Sequence, residues 1–444
     1  MRKLILLATA VLLFALSASA DVCREVGSFS SGTGAAASTV DVNFVTSTTC
    51  VPKVVILWTS ADTSGSTADQ SFAIGFGTSS SSRRSVWSGC LQSTDPSKCK
   101  NDIRNNLILS VYRGSTPTLS GSFDLTSFGT GTFRLTVGTQ FVASITIFYL
   151  AIGGSDITTV DTATVVIPTA TAPSDFSVGA GQWTGGVGFK PDFVLGVLCH
   201  NATSNSTSTD AACSLGFSDG TNAGFGAFVS VDGQNTSIAG NYLRAAASQL
   251  DFLAVVSTAT SVTARVSMKT LDTNGFTMTN QETNANSYII YALGIKGGQW
   301  HVGPYTAATT ATTFDVTDGS FTPLGIGVIN PRGTVQSTSD TAAAAARMGF
   351  GASDGTTSGA ASTVGDDAVA ANNAYFNNLS TSRVYQAIKV SDGTVLTDAN
   401  FTSFLSNGWR GTVVTASSGN IFGTYFSFAA NAASTTRRKR PVWF

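Results

Sequence analysis

The chain has 444 residues, with 25 Lys or Arg against 26 Asp or Glu, a formal charge of −1 and a charged fraction of 11%. That fraction is less than half the ~25% of ordinary globular proteins, and it leaves no basic face of the kind a nucleic-acid binder needs. There are two histidines and no HExxH, GxSxG or phosphate-loop pattern, so the sequence offers none of the common metalloprotease, hydrolase or nucleotide-binding constellations.

The N-terminal segment reads as a secretory leader. Arg2 and Lys3 precede an apolar run from Leu4 to Leu16, and Ala18–Ser19–Ala20 fits the small-x-small cleavage rule. Residues 1–20 are therefore expected to be a signal peptide, with the mature chain starting at Asp21. No later stretch carries 18 uninterrupted apolar residues, so no membrane-spanning segment is expected. Export gives the six cysteines an oxidising compartment, and their spacing favours neighbours: Cys23–Cys50, Cys90–Cys99 and Cys199–Cys213.

From Pro52 onwards one pattern recurs three times. A Pro opens an apolar run at Pro52, Pro191 and Pro323. An apolar–Gly–Phe triplet follows at Ile74–Gly75–Phe76, Leu215–Gly216–Phe217 and Met348–Gly349–Phe350. A turn glycine with an aromatic comes next, at Phe133, Phe276 and Trp409, and each copy closes on an aromatic strand anchored at Tyr149, Tyr291 and Tyr425. Pro and Gly are 23, 25 and 26 residues apart, and Gly and aromatic 58, 60 and 60. Three versions of one domain are implied, each too long for a solenoid unit and each expected to bury its own core, like beads on a string. The expected domains are 21–157, 158–302 and 303–430, followed by a tail at 431–444.

Within each copy the periodicity is two. Val40–Asp41–Val42–Asn43–Phe44 and Phe133–Arg134–Leu135–Thr136–Val137 alternate, and Asp-Gly or Asn-Gly turns punctuate the runs at Asp219–Gly220, Asn274–Gly275, Asp354–Gly355 and Asn407–Gly408. This predicts an all-β chain of three tandem antiparallel β-sandwiches, jelly-roll-like, with about eight strands each. Weak helical signals are confined to Thr341–Arg347, an alanine run, and Asp366–Asn373.

Candidate site residues are few. His200 follows Cys199, but sequence neighbours on a strand face opposite ways, so a disulfide is the simpler role for Cys199. Asp366–Asp367 and the Asp-Gly turns are candidates for calcium; no other metal or cofactor is expected. Sequons occur at Asn201, Asn205, Asn235, Asn378 and Asn400. Trp87, Trp183, Trp300 and Trp409 are candidates for stacking on sugar rings, Trp409 being placed rather in the core by its alignment with Phe133 and Phe276. The tail carries Arg437–Arg438–Lys439–Arg440 and then Trp443–Phe444; removing its four bases and the two of the leader leaves −7 on the body. A basic strip with an aromatic end suits docking on an acidic neighbour.

The order Pro–apolar strand, Ile/Leu-Gly-Phe, Asn-Gly-Phe and closing Tyr-x-Ala-Ile/Leu-Gly is similar to a repeat of uncharacterised phage and environmental-microbe surface proteins. Here it reads Pro191–Asp192–Phe193, Leu215–Gly216–Phe217, Asn274–Gly275–Phe276 and Tyr291–Ala292–Leu293–Gly294. The shape also resembles the small sandwich of H-type lectins. Those motifs are strand patterns and bring no site residues with them. The functional expectation is an exported, extracellular or cell-surface, non-catalytic structural or adhesive protein, a subunit of a filament or surface layer. It would partner with itself, with other surface proteins or with glycans, and not with nucleic acid. A lectin-like carbohydrate-binding protein and a virion surface protein are the alternatives.

Overall fold

The computed structural model describes residues 21–431 apart from 61–64, 92–95, 114–117, 246–250, 259–260, 284–285, 330–342, 369, 371–373 and 418–420. Residues 1–20, where a leader is expected, and the bases and aromatics of the tail lie outside the described residues.

The chain is all-β, and among the described residues each repeat has eleven strands. The first comprises β1 (Cys23–Ser30), β2 (Thr39–Asn43), β3 (Pro52–Thr59), β4 (Gly65–Ala68), β5 (Gln70–Gly77), β6 (Arg83–Leu91), β7 (Lys98–Arg104), β8 (Leu109–Arg113), β9 (Thr118–Gly129), β10 (Thr132–Thr139) and β11 (Thr146–Gly153). The second comprises β12 (Thr159–Val166), β13 (Ser174–Val178), β14 (Phe193–Cys199), β15 (Ser206–Thr209), β16 (Ala211–Ser218), β17 (Ala223–Ser230), β18 (Ala239–Ala245), β19 (Asp251–Thr258), β20 (Ser261–Asp272), β21 (Gly275–Asn280) and β22 (Ile289–Lys296). The third comprises β23 (Gln299–Ala307), β24 (Thr313–Val316), β25 (Gly325–Ile329), β26 (Ala343–Ala344), β27 (Ala346–Ser353), β28 (Ser358–Gly365), β29 (Tyr375–Ser380), β30 (Tyr385–Ile388), β31 (Val395–Leu405), β32 (Gly408–Thr415) and β33 (Ile421–Ala429).

Every repeat forms a sandwich of a large and a small antiparallel sheet. In the first, the four-stranded sheet runs β2-β10-β9-β8 and the large one β1-β11-β3-β5-β6-β7. The large sheet does not end there. Its seventh strand is β15, lent by the second repeat and paired with β7. The second repeat's large sheet ends in β26 from the third, paired with β18, and the third's ends in β4 from the first, paired with β29. The lending is cyclic, so the three sandwiches close into a ring with pseudo-threefold symmetry.

The loan is anchored the same way three times. The residue after each lent strand takes a positive φ: Asp69 at 83°, Asp210 at 67° and Ala345 at 71°. Its carbonyl accepts a hydrogen bond from a buried asparagine of the borrowing sheet. Asn377 Nδ2 donates to Asp69 at 2.9 Å, Asn101 to Asp210 at 2.9 Å and Asn241 to Ala345 at 2.8 Å. Non-glycine residues enter the left-handed region at a cost, and here the buried amide holds the bend that turns the chain from the neighbour's sheet back into its own.

The ring has a core of its own. Each sandwich has an inner cluster, such as Leu57, Phe123, Phe133 and Tyr149 in the first. The opposite faces of all three large sheets converge on one further cluster, which includes Trp58, Phe76, Phe193, Phe217, Phe350 and Phe426. Trp58 meets Phe350 edge-on at 4.9 Å and Phe217 meets Phe426 at 4.8 Å, each pair joining different repeats. This corrects the expectation of independent beads: the large sheets are buried on both faces, which is why β5, β16 and β27 read as near-continuous small or apolar runs rather than as alternating strands.

Strand pairing corrects further expectations. The glycines facing a crossing carbonyl are Gly75, Gly216 and Gly351, not Gly349. A Cβ on them would lie 1.8 Å from Ile108 O, 1.9 Å from Phe252 O and 2.2 Å from Val384 O, respectively. Each sits six residues after its positive-φ residue, and a slip of two preserves the face, so the apolar–Gly–Phe triplet of the third repeat hid it. Likewise Tyr149 and Tyr425 share a position that is Ala292 in the second repeat, while Tyr291 matches Phe148 and Thr424. The alanine run at 343–347 is not helical: it provides β26, the bend at Ala345 and the start of β27. Finally, β23 belongs to the third sandwich, whose first strand therefore starts at Gln299 rather than at 303. Of the second helical candidate, Asp367 and Ala368 lie in a bend and Ala370 forms an isolated bridge with Thr236.

The first and last described segments meet. The Asp156 N–H donates to Asp21 O at 3.0 Å, and its Oδ2 accepts the Asn431 N–H at 2.7 Å.

Candidate functional site

Buried polar and charged side chains occur at each of the three seams of the ring. At each seam the first strand of one sandwich offers a backbone N–H to a turn of the preceding one. The Val302 N–H donates to Asp219 Oδ2 at 2.8 Å and the Val26 N–H to Asp354 Oδ2 at 2.8 Å. Each of those aspartates uses its other oxygen to fix its own turn, accepting from Thr221 and Asn222, or from Thr356 and Thr357. At the remaining seam the acceptor is a hydroxyl: the Thr162 N–H donates to Ser82 Oγ at 3.1 Å, and Ser82 Oγ donates to Asp161 at 2.6 Å.

That first-to-second seam also holds a buried cation. Arg84 is 6% exposed. Its guanidinium donates to Thr164 Oγ1 at 3.0 Å, to Thr184 Oγ1 at 2.8 Å and to Arg83 O at 2.7 Å, and it lies 5.5 Å from the centre of the Tyr291 ring. Burial lowers the proton affinity of Arg84, and burial pushes the Tyr291 hydroxyl up to about 12. Nearby, Asp102 is fully buried and receives Arg104 Nε at 2.8 Å and Ser110 Oγ at 3.1 Å. Burial raises its carboxyl above the usual range although the Arg104 pair opposes this.

The three cysteine pairs are disulfides as expected: Cys23–Cys50, Cys90–Cys99 and Cys199–Cys213. Their places in the ring are informative. Cys199–Cys213 closes the loop that contains the lent strand β15, and Cys90–Cys99 ties β6 to β7, the strand that receives it.

The structure separates the other candidates. His200 lies over Tyr288 at 5.3 Å, in a polar depression of about 490 Å³ lined by Thr169, Asn201, Thr203, Asn286 and Ser287 among others. Burial lowers its proton affinity. Asn201 and Asn378 are buried, donating from Nδ2 to Ser206 O and Gly393 O. Asn205 is exposed and paired with Asn105 at 2.7 Å, Asn235 is exposed, and Asn400 accepts from Arg383 at 2.6 Å. Trp87 does not present a face for a sugar ring: it is buried in β6, bonded to Ser71 Oγ and packed on Tyr112. Trp183 and Trp409 are buried too, and Trp300 stacks on Phe193 at 4.4 Å on the rim of the shared core. Asp366 and Asp367 are spent on the backbone, accepting from Asp367 N and Ala239 N. Among the described residues no group of three or more His, Cys, Asp or Glu is placed to hold a metal ion. No described helix is long and apolar enough to cross a membrane.

The seam residues Arg84, Asn101, Asn241 and Asn377 did not stand out in the sequence, and Asp219 and Asp354 stood out only as turn formers and calcium candidates. One signal was available: an asparagine recurs 26, 25 and 26 residues after the three glycines Gly75, Gly216 and Gly351.

No family model matches the chain, and no curated protein matches it. Among solved structures, an anion-selective porin from Comamonas acidovorans aligns over 88% of this chain and 100% of that one, at 10% identity and a TM-score of 0.10. The LG1-3 region of the laminin alpha2 chain aligns over 89% and 92%, at 7% identity and a TM-score of 0.10. Likeness at that level carries no argument about this fold or its use.

Proposed function

We infer that the protein is an exported, non-catalytic structural or adhesive subunit of an extracellular filament or surface layer. The observation that supports this most is the cyclic exchange of strands around a common core. It makes one rigid block from three sandwiches, and a rigid block with repeated outer faces is what a lattice or fibre is built from. The outer sheets agree with that use. They present hydroxyl pairs, such as Thr126–Thr136 and Thr402–Thr412, and one exposed ion pair each: Asp41–Arg134, Asp175–Lys269 and Asp315–Arg410. Assembly would use the tail, with Arg437–Arg440 drawn to the body of a neighbour and Trp443–Phe444 buried there.

Negative-stain microscopy of the mature protein at physiological salt tests the reading. Filaments or sheets are expected, and deleting residues 434–444 should abolish them while leaving Tm unchanged. Discrete particles that respond on a glycan array would favour the carbohydrate-binding alternative instead. The pseudo-threefold outline also suits a threefold position in a virion shell; recovery of the protein in purified particles would decide for that reading.

A further inference from the structure

The first strands β1, β12 and β23 carry an ionisable side chain at one equivalent position, just before the amide that crosses the seam: Glu25, Asp161 and His301. In the first sandwich the Glu25 carboxylate accepts the N–H groups of Val45 at 2.8 Å and Ser47 at 2.9 Å. In the second, Asp161 accepts the Gly185 N–H at 2.7 Å. An acid on the strand thus ties down the loop that follows the second strand of its own sandwich. In the third sandwich the chemistry is inverted. The strand carries the base, and the loop carries the acid, with His301 Nε2 3.3 Å from Asp318 Oδ2.

The other ring nitrogen faces across the seam. His301 Nδ1 lies 3.9 Å from Asp219 Oδ2, the same oxygen that accepts the Val302 N–H. The imidazole is 16% exposed and stands between a carboxylate of its own sandwich and one of the neighbour. The titratable groups facing it are Asp219 from the turn after β16, Asp318 from the loop after β24, and Tyr425 from β33, whose ring centre is 5.8 Å away and whose hydroxyl donates to Asp318.

We propose that His301 is a pH-responsive clamp on the second-to-third seam, bridging Asp219 and Asp318 when its ring takes up a proton. A neutral imidazole can serve one carboxylate as a donor; the imidazolium has two donors and a charge that attracts both. Burial works to raise the Asp318 carboxyl, but hydrogen bonds from His301 and Tyr425 outweigh it and hold it below the usual range. Asp318 is therefore still ionised where an ordinary histidine titrates, near ~6.5. A proton taken up by the ring between these two carboxylates favours the closed seam, and that gain is lost in strong acid, when the aspartates protonate. The other two seams have no such group, so the ring tightens in mild acid at one of its three joints.

The symmetry supplies its own control. Val26 and Val302 make the same bond to an Asx turn, and only Val302 has the histidine beside it. Native-state amide exchange of the full mature chain, corrected for intrinsic rates, should show the protection of Val302 relative to Val26 rising about threefold to fivefold from pH 8 to pH 5.5. In H301Q the ratio should stay flat, and D318N should reduce the rise. A ratio that is flat in the wild type overturns the proposal whether or not either variant folds, and an equal rise in H301Q overturns it as well.

Discussion

At the seam between the first and second sandwiches Arg84 lies over Tyr291; at the seam between the third and first, the same two backbone positions are Gly359 and Phe148. A Cβ on Gly359 would come within 2.4 Å of the Phe148 ring. At the second seam the pair is Gly224 and Thr424, and a Cβ on Gly224 would come within 2.3 Å of Thr424 Oγ1. The backbone is shared, and the side chains are not. One seam is filled by a cation threading between hydroxyls, another by a ring pressed on bare backbone. Each large group is answered by a small one across the gap, and no pair could be exchanged with another without a clash or a hole. Such complementarity selects the right neighbour as much by excluding wrong ones as by attraction, and it fixes the order of the sandwiches around the ring.

The comparison rests on backbone equivalence, and the most damaging substitution tests that first. Gly351→Ala should cost on the order of 3 kcal/mol or more, because its Cβ meets a main-chain carbonyl that cannot move alone. Gly349→Ala should cost under ~1 kcal/mol, since the matching residues, Ala73 and Ser214, already carry a Cβ. Chemical denaturation of both variants checks this, and a reversed order would break the register on which the seams are matched.

Next comes the difference in bracing. Strand β15 lies inside a disulfide loop, whereas the described part of the arm carrying β26 contains no cysteine. Cys199→Ser with Cys213→Ser should cost about 3 kcal/mol and should speed amide exchange in Ser206–Thr209 toward the rate at Ala343–Ala344. Unchanged exchange there would mean that the disulfide serves only its own sandwich.

Gly359→Ala should cost about 1–3 kcal/mol through overpacking. Adding Phe148→Leu should recover part of that, giving a double-mutant coupling well above experimental error. Strictly additive costs would show that the ring and the glycine are not matched.

The smallest expected effect distinguishes the two histidines. Burial lowers the proton affinity of His200, so its contribution to stability is present above the ordinary histidine value and is lost as pH falls from ~6.5 through its folded value. His200→Gln should flatten the decline in Tm between pH 7 and 5, the opposite sense to the change expected at His301. A steeper decline in His200→Gln would refute the assignment.

The threefold repeat, the all-β class and the disulfide pairs were legible because they depend on local patterns: turn dipeptides, recurrent anchors and cysteine spacing. The ring was not. The lent strands read Gly-Ser-Thr-Ala, Ser-Thr-Ser-Thr and Ala-Ala. Their main contribution is backbone hydrogen bonding, which leaves no hydrophobic signature and names no partner. The burial of Trp87 is hidden in the sequence for a related reason. Its neighbours Arg84, Ser85 and Ser88 look like a polar loop, yet they are buried because the other face of their sheet is covered by the neighbouring sandwich. Small hydroxyls fit between two covered faces where large charges would be stranded, which also accounts for the low charge of the whole chain.

The meeting of residues 21 and 431 at Asp156 has a topological consequence. Travelling from one sandwich to the next returns to the starting point, so the ring has no first member. Joining residue 431 to residue 21 by a short linker and opening the chain between β22 and β23 would make the third sandwich lead. The same three loans of strand would still be available, and the permuted protein should close into the same block.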